Sequence, residues 1–467
     1  MLGKLKEFDF YRKIPRDLTE ATSHGSMLSI CCALFMLTLF VAELWAYLST
    51  SYVSNVVIDP VADTLLRINF NITVLDLPCE FAVIDVVDVL GTRTDNVTKN
   101  INKWQIDEAG IRRNYEGRNW DQPDLNHDSH HDLPALLANG VHATAVSAES
   151  FQPWLKSHKY VFVNYYAPWC IWCQRLEPVW EAFAEHADRD LPALGQSISI
   201  IKVDCVENRV LCMNEKVMAF PTLRLFLNGE PSLPEYRGDR TVDALMDFVK
   251  SRVAVDTQVE AMDPVTREAH EVRKENMRTD HPGCLMSGFL LVNRVPGHFH
   301  IEARSKFHNL NPAGSNMSHV VHQLSFGPTL SRNALRRVEE VPDTFFSMAS
   351  TKPMDDKKYI NTQLHSSYHH YIKVVSTHLE VGARFTGKDA ILAYQMVESS
   401  QLMSYNTEDV PEARFSYDLS PMSVTITRKG KRFYEFLTSV CAIIGGTFTV
   451  VSLFNSFLGI LFKAKRV

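Results

Sequence analysis

An α/β domain inserted in a mainly-β, sandwich-like domain, held between two membrane-spanning helices, is the fold class that this 467-residue chain predicts. Three observations lead there. Long apolar runs stand near both ends of the chain. Short alternating runs fill much of the region between them. One central segment changes from an apolar strand to a helical pattern around Cys170 and Cys173. Composition is that of an ordinary globular protein, and a net charge of −6 offers no basic excess for a nucleic-acid partner.

The first apolar run, Met27–Leu48, carries a single charge, Glu43, and Phe436–Phe462 carries none. Each suffices to cross a hydrocarbon core of roughly 30 Å at about 1.5 Å per residue. A cleaved signal peptide is the competing reading of the first. Its apolar core is too long, starts late and lacks a clear small-x-small cleavage site, so an uncleaved anchor over 26–48 is expected. Lys4, Lys6, Arg12, Lys13 and Arg16 precede that anchor, which puts residues 1–25 in the cytosol. Arg428, Lys429, Lys431 and Arg432 before the second span argue the other way. The first span usually dominates, and three sequons at Asn71, Asn96 and Asn316 fall between the spans, which suits a lumenal segment. The tail 463–467 carries Lys463 and Lys465 at the spacing of a cytosolic dilysine retrieval signal. An ordinary basic flank reads equally well.

Between the spans, Leu65–Val74 and Phe81–Leu90 alternate as strands within a first β segment, 49–100. Residues 101–140 are polar and read as a linker. Residues 141–253 alternate β and α patterns. Residues 254–280 are highly charged and read as a second linker, and 281–430 return to strand-like runs. The two β segments are expected to form one domain, interrupted at a surface loop with close ends.

Within the α/β unit, Tyr160–Tyr166 is almost wholly apolar, as a buried central strand must be. Leu176, Val179, Trp180 and Phe183 follow at helical spacing. Cys170 and Cys173 therefore sit where a helix begins, and its free amides and dipole favour a thiolate on the first cysteine. The second, one turn on, is close enough to attack a mixed disulfide made by the first. Asn228-Gly229 predicts a tight hairpin, and Val242, Leu245, Met246 and Val249 a last helix.

Ala167-Pro168-Trp169-Cys170, Leu176, Pro178 and Phe220-Pro221-Thr222-Leu223 resemble the thioredoxin fold of the protein disulfide isomerase type, over about 110 residues. The resemblance implies that Cys170 is the nucleophile and Cys173 the resolving thiol. It also implies that Pro221 is the cis proline facing them and that Arg240 tunes the second cysteine. No bound cofactor is called for. Some members carry a structural disulfide where Cys205 and Cys212 stand here. Two departures matter: Trp172 replaces the usual histidine between the cysteines, and Asn164 replaces a buried glutamate. Neither can titrate near neutral pH. A weaker oxidant than the histidine-bearing enzymes is expected, better suited to reduction or substrate trapping.

Cys79 and Cys284 lie one in each β segment and are expected to staple them across the insert in an oxidising compartment. Asp9–Pro15, Leu77-Pro78-Cys79, Gly283-Cys284, Gly297–His300, His319–Gly327, Phe415–Pro421 and Phe436–Phe457 resemble the vesicle proteins that cycle between endoplasmic reticulum and Golgi. That resemblance implies a lumenal β-sandwich between two spans, coat contacts through the cytosolic tails, and an early secretory location. His127, His130 and His131, and likewise His365, His369 and His370, read as solvated loop histidines rather than a metal site. Two functions are expected to compete. One is a tethered thiol–disulfide oxidoreductase acting on unfolded or disulfide-bearing secretory clients. The other is a cargo escort that uses the same domain to hold them.

Overall fold

The computed structural model describes residues 23–59, 64–89, 91, 97–107, 110–118, 124–128, 134, 142–190, 198–232, 235–268, 283–380 and 390–464. Leader residues 1–22, Asn96, His130, His131 and Lys465 lie outside them, as does the side chain of Lys463. Two helices, Ser23–Leu48 and Phe433–Ala464, flank everything else. Their windows Ser29–Leu48 and Phe433–Phe454 are long and apolar enough to cross a membrane. They meet through Tyr47 and Phe436, with ring centroids 4.7 Å apart, and through Lys431 Nζ, which donates to Glu43 at 2.8 Å. Glu43 is thus paired with a cation near the C-terminal end of its helix.

Two sheets make the β domain. The first runs in the order Lys357–Tyr359, Asn316–Phe326, Leu65–Asp76, Cys284–Asn293, Ile101–Ile106, Arg112–Arg118, antiparallel throughout. Chain from both sides of the insert therefore interleaves in one sheet. Period-2 patterning explains why: Leu66, Ile68, Phe70, Ile72 and Val74 all turn to the core. The second sheet has seven strands and includes Ala82–Asp88, Gly297–Ala303, Ser366–Glu380 and Glu412–Leu419. The sheets share one apolar core, in which Phe299 stacks on Phe415 at 4.7 Å and approaches Phe70 at 6.1 Å.

Three expectations are corrected here. Ile101–Ile106 and Arg112–Arg118 are strands rather than linker, and in the first of them Ile101, Lys103 and Ile106 all bury their side chains in a polar-looking stretch. His369 and His370 are not solvated: the strand starts at Ser366 and buries both. The charged segment after 253 also begins as helix, since Val242–Glu260 runs into it as far as Glu260.

His370 faces His319 across the sandwich. Their Nε2 atoms are 2.9 Å apart, His319 Nδ1 lies 2.9 Å from the Met317 carbonyl, and His370 Nδ1 lies 2.7 Å from Ser400 Oγ. Burial lowers His319 to about 4 and lowers His370 as well. Because the folded value lies below the unfolded one, the unfolded chain takes up more protons as pH falls below about 6.5. Stability present above that pH is lost on acidification toward 4. His319 alone should remove about 2 kcal/mol at pH 5, at about 1.36 kcal/mol per pH unit over roughly 1.5 units. The urea midpoint of the full chain at pH 7 and pH 5 measures this, and equal midpoints would contradict a neutral buried pair.

The inserted unit has a five-stranded sheet, ordered Glu230–Pro231, Thr222–Leu227, Tyr160–Tyr166, Ile198–Asp204, Thr144–Ala145. Tyr160–Tyr166 runs parallel to Ile198–Asp204 and antiparallel to Thr222–Leu227. Leu227 pairs with Glu230 around Asn228 and Gly229, both at positive φ, as a two-residue hairpin of this kind requires. Helices Ile171–Asp190 and Val242–Glu260 cover one face through Leu176, Trp180, Phe183, Leu245 and Val249. Helix Ala148–Ser157 covers the other through Phe151 and Leu155. Phe162 faces the first layer, while Val161 and Val163 face the second. This sheet brings the end of one strand, and the helix after it, beside the proline loop.

Candidate active site

Strand Tyr160–Tyr166 delivers the chain to the cysteine turn, and helix Ile171–Asp190 starts directly after Cys170. The Cys173 amide donates to Cys170 Sγ at 3.2 Å, and Cys170 Sγ donates to the Phe220 carbonyl at 3.5 Å. Phe220–Pro221 is a cis peptide, so the residue before the proline presents its carbonyl to the first sulfur. Both cysteines are unbonded here.

The two thiols differ electrostatically. The Cys173 thiol donates to Cys170 and, against the cost of burial, holds it below the usual thiol range. The amides of Cys173, Trp172 and Asn309 act in the same direction. Burial pushes Cys173 far up, and the neighbouring Cys170 adds to this. One sulfur is therefore ready to ionise, and its partner stays protonated until the first has reacted. The Cys170 thiolate can attack a disulfide sulfur, forming one S–S bond and releasing the client's other sulfur as thiolate. Cys173, once deprotonated, can then break the mixed disulfide.

Arg240 is 3 % exposed, and its charge opposes the upward shift of Cys173. Burial lowers Arg240 itself to about 10, still protonated at neutral pH. Its Nη1 lies 3.3 Å from His127 Nε2, and its Nη2 donates to the Phe307 carbonyl at 2.8 Å. His127 is not the solvated loop residue expected from the sequence, since its ring lies 5.3 Å from that of Trp172. The Asn126 amide and side chain hold Asp239 at 2.9 and 3.0 Å, which clasps this piece of chain to the loop before Arg240. Burial, reinforced by the Arg240 charge, lowers His127 and keeps it neutral.

Asn164 is buried, and among the described residues its Oδ1 has no hydrogen-bond partner. It stands in register with Lys202, whose Nζ donates at 2.8 Å to Glu181 Oε1. Glu181, fully buried, also accepts from the His142 and Ala143 amides at 3.0 and 3.1 Å. Sequence reasoning missed this pair. A lysine inside the apolar strand Ile198–Asp204 was the available signal, whereas Glu181 left none.

Cys205 and Cys212 are joined in one disulfide and Cys79 and Cys284 in another. Of the sequon asparagines, Asn71 lies in a central strand with a buried Oδ1, and Asn316 uses its amide on Asp76 and its oxygen on Ser318.

Three family patterns match the chain. The endoplasmic reticulum vesicle transporter family matches residues 247–455. The endoplasmic reticulum–Golgi intermediate compartment family matches 5–95, and thioredoxin matches 142–251. Protein disulfide-isomerase 5-4 of Arabidopsis thaliana is 34 % identical over 490 residues, covering 98 % of this chain and 96 % of that one. Protein disulfide isomerase-like 5-4 of Oryza sativa subsp. japonica is 34 % identical over 481 residues, 97 % and 96 % of the two chains. A probable endoplasmic reticulum–Golgi intermediate compartment protein 3 of Dictyostelium discoideum is 25 % identical over 474 residues, 98 % and 95 % of the two. The chain belongs to the protein disulfide-isomerase 5 family, membrane-tethered thiol–disulfide oxidoreductases of the early secretory pathway with a thioredoxin domain built into a vesicle-protein framework.

Proposed function

We propose that Cys170 attacks disulfides of secretory clients and Cys173 resolves the product, on a domain facing the lumen between two membrane crossings. The observation that carries this is the Cys170 sulfur at a helix start, between the Cys173 amide and the Phe220 carbonyl. Insulin reduction and refolding of scrambled ribonuclease by the full chain in detergent micelles test it. Activity that disappears in Cys170→Ser is expected, and activity untouched by that change would end the proposal.

Arg240 acts as a tuning residue through its charge beside the two sulfurs. Arg240→Ala should cut the thiolate fraction of Cys173 about tenfold, a change of about 1.4 kcal/mol in thiolate stability, and slow resolution of the mixed disulfide to the same extent. An unchanged resolution rate would remove Arg240 from the tuning of Cys173.

The basic leader and the apolar helices support cytosolic termini, with retrieval through Lys463 and Lys465 and contact with coat proteins as the matching partner reading. A second reading, an escort that holds clients without turnover, draws support from Asn164 and Trp172, which supply no proton relay. Clients bound to Cys170→Ser as tightly as to the unaltered chain, with no insulin reduced by either, would favour it.

A further inference from the structure

Between strands Gly297–Ala303 and Asn316–Phe326 the chain leaves the β-sandwich and lies along the proline loop of the inserted domain. Asn309 and Leu310 pair antiparallel with Phe220 and Ala219. The Asn311 amide donates to the Met218 carbonyl at 2.8 Å, and its side chain donates to the Val217 carbonyl at 3.3 Å. Phe307 sets its ring 5.5 Å from Trp172 and 6.0 Å from His127, and its carbonyl takes the Arg240 guanidinium. The Asn309 amide, set opposite Phe220, is also one of the groups that favour the Cys170 thiolate. Under this cover Cys170 is 0 % exposed, although Trp169 and Ile171 on either side are 54 % and 50 % exposed. A sulfur so covered cannot approach a disulfide on another chain.

We infer that residues 307–311 stand where a client strand binds, so that the resting protein blocks itself and a client must displace this segment before Cys170 reacts. The inference rests on the exchange function proposed above. It also describes the client: an extended stretch that pairs with Ala219 and Phe220 through its backbone and lays an apolar or aromatic side chain on Trp172. A short pairing suits such a role. Two paired residues and a few side-chain contacts open locally far more easily than either folded domain unfolds. Both β sheets and their disulfide are anchored elsewhere, so the segment can swing away while the sandwich stays intact.

The test uses the full chain in detergent micelles. Iodoacetamide alkylation of Cys170 and insulin reduction are measured in the unaltered chain, in Phe307→Ala/Asn311→Pro and in Cys170→Ser. The double substitution removes the Trp172 contact and the Asn311 amide, and should raise both rates about tenfold if the open form is a tenth or less of the resting population. Equal or slower alkylation in the double variant overturns the inference and leaves the exchange function untouched. Faster alkylation without insulin reduction in either protein overturns the exchange function instead. Should the double variant fail to fold, hydrogen exchange on Cys173→Ala decides the matter. The amides of 309–311 should be protected at rest and lose protection when a disulfide-bearing peptide is joined to Cys170. Protection unchanged by the peptide would overturn the inference.

Discussion

Cys173→Ala is expected to leave the protein covalently joined to its clients. Cys170 loses its largest thiolate stabiliser, the Cys173 thiol, in that variant. It keeps the smaller help of the Cys173, Trp172 and Asn309 amides, which belong to the backbone, so it still ionises, at higher pH. It can still attack, but nothing nearby can break the product. An internal thiol competes with dissolved thiols at an effective concentration several orders above millimolar, so the mixed disulfide should last about a thousandfold longer. Non-reducing gels and mass mapping of the joined peptides provide the readout. Adducts should map to Cys170 and vanish in Cys170→Ser. The absence of adducts under conditions where the unaltered chain reduces insulin would assign the chemistry elsewhere.

Removing the Cys79–Cys284 disulfide is expected to cost the β domain about 2–5 kcal/mol. Its two cysteines are 205 residues apart, and both are buried, at 4 % and 0 % exposure. Cys284 opens the strand that pairs with Val74 on one side and Gln105 on the other. The bond therefore fixes the re-entry of the chain into a sheet begun before the insert. A folded α/β unit fills most of the loop, so the effective loop is shorter than its residue count and the gain falls below that of a floppy loop. Lys103, buried with Nζ 3.3 Å from the Cys79 carbonyl, adds to the sensitivity of this spot. Burial lowers that lysine to about 8, so it stays largely protonated at neutral pH and needs the carbonyl held in place. Denaturant unfolding of Cys79→Ala/Cys284→Ala in micelles should show the loss in the β-domain transition, with that of the inserted domain little changed. Coincident curves for variant and unaltered chain would contradict the staple.

Some of this was legible in the residues. The apolar strand before Cys170, the helical stripe after it, the Asn-Gly hairpin and the two long apolar runs are local patterns, each written within about 25 residues. Strands Ile101–Ile106 and Arg112–Arg118 were not legible. Their charged residues look like a loop until the neighbouring strand covers Ile101 and Ile106 and takes in the stem of Lys103. His370 and His127 failed for a related reason. Each looks polar in sequence, and each is enclosed by groups far away in the chain, His319 for one and Trp172 for the other. The cover over Cys170 comes from residues more than a hundred positions downstream, which no local pattern can announce.

Redox titration of Cys170 and Cys173 in glutathione buffers tests the central claim most directly. With Trp172 in place of a cationic histidine, the thiolate is less favoured and the disulfide harder to reduce. The pair should convert in one two-electron transition, at a potential more reducing than about −180 mV and no lower than about −270 mV. A transition at or above about −180 mV, or a dithiol that never oxidises across that range, would contradict the account.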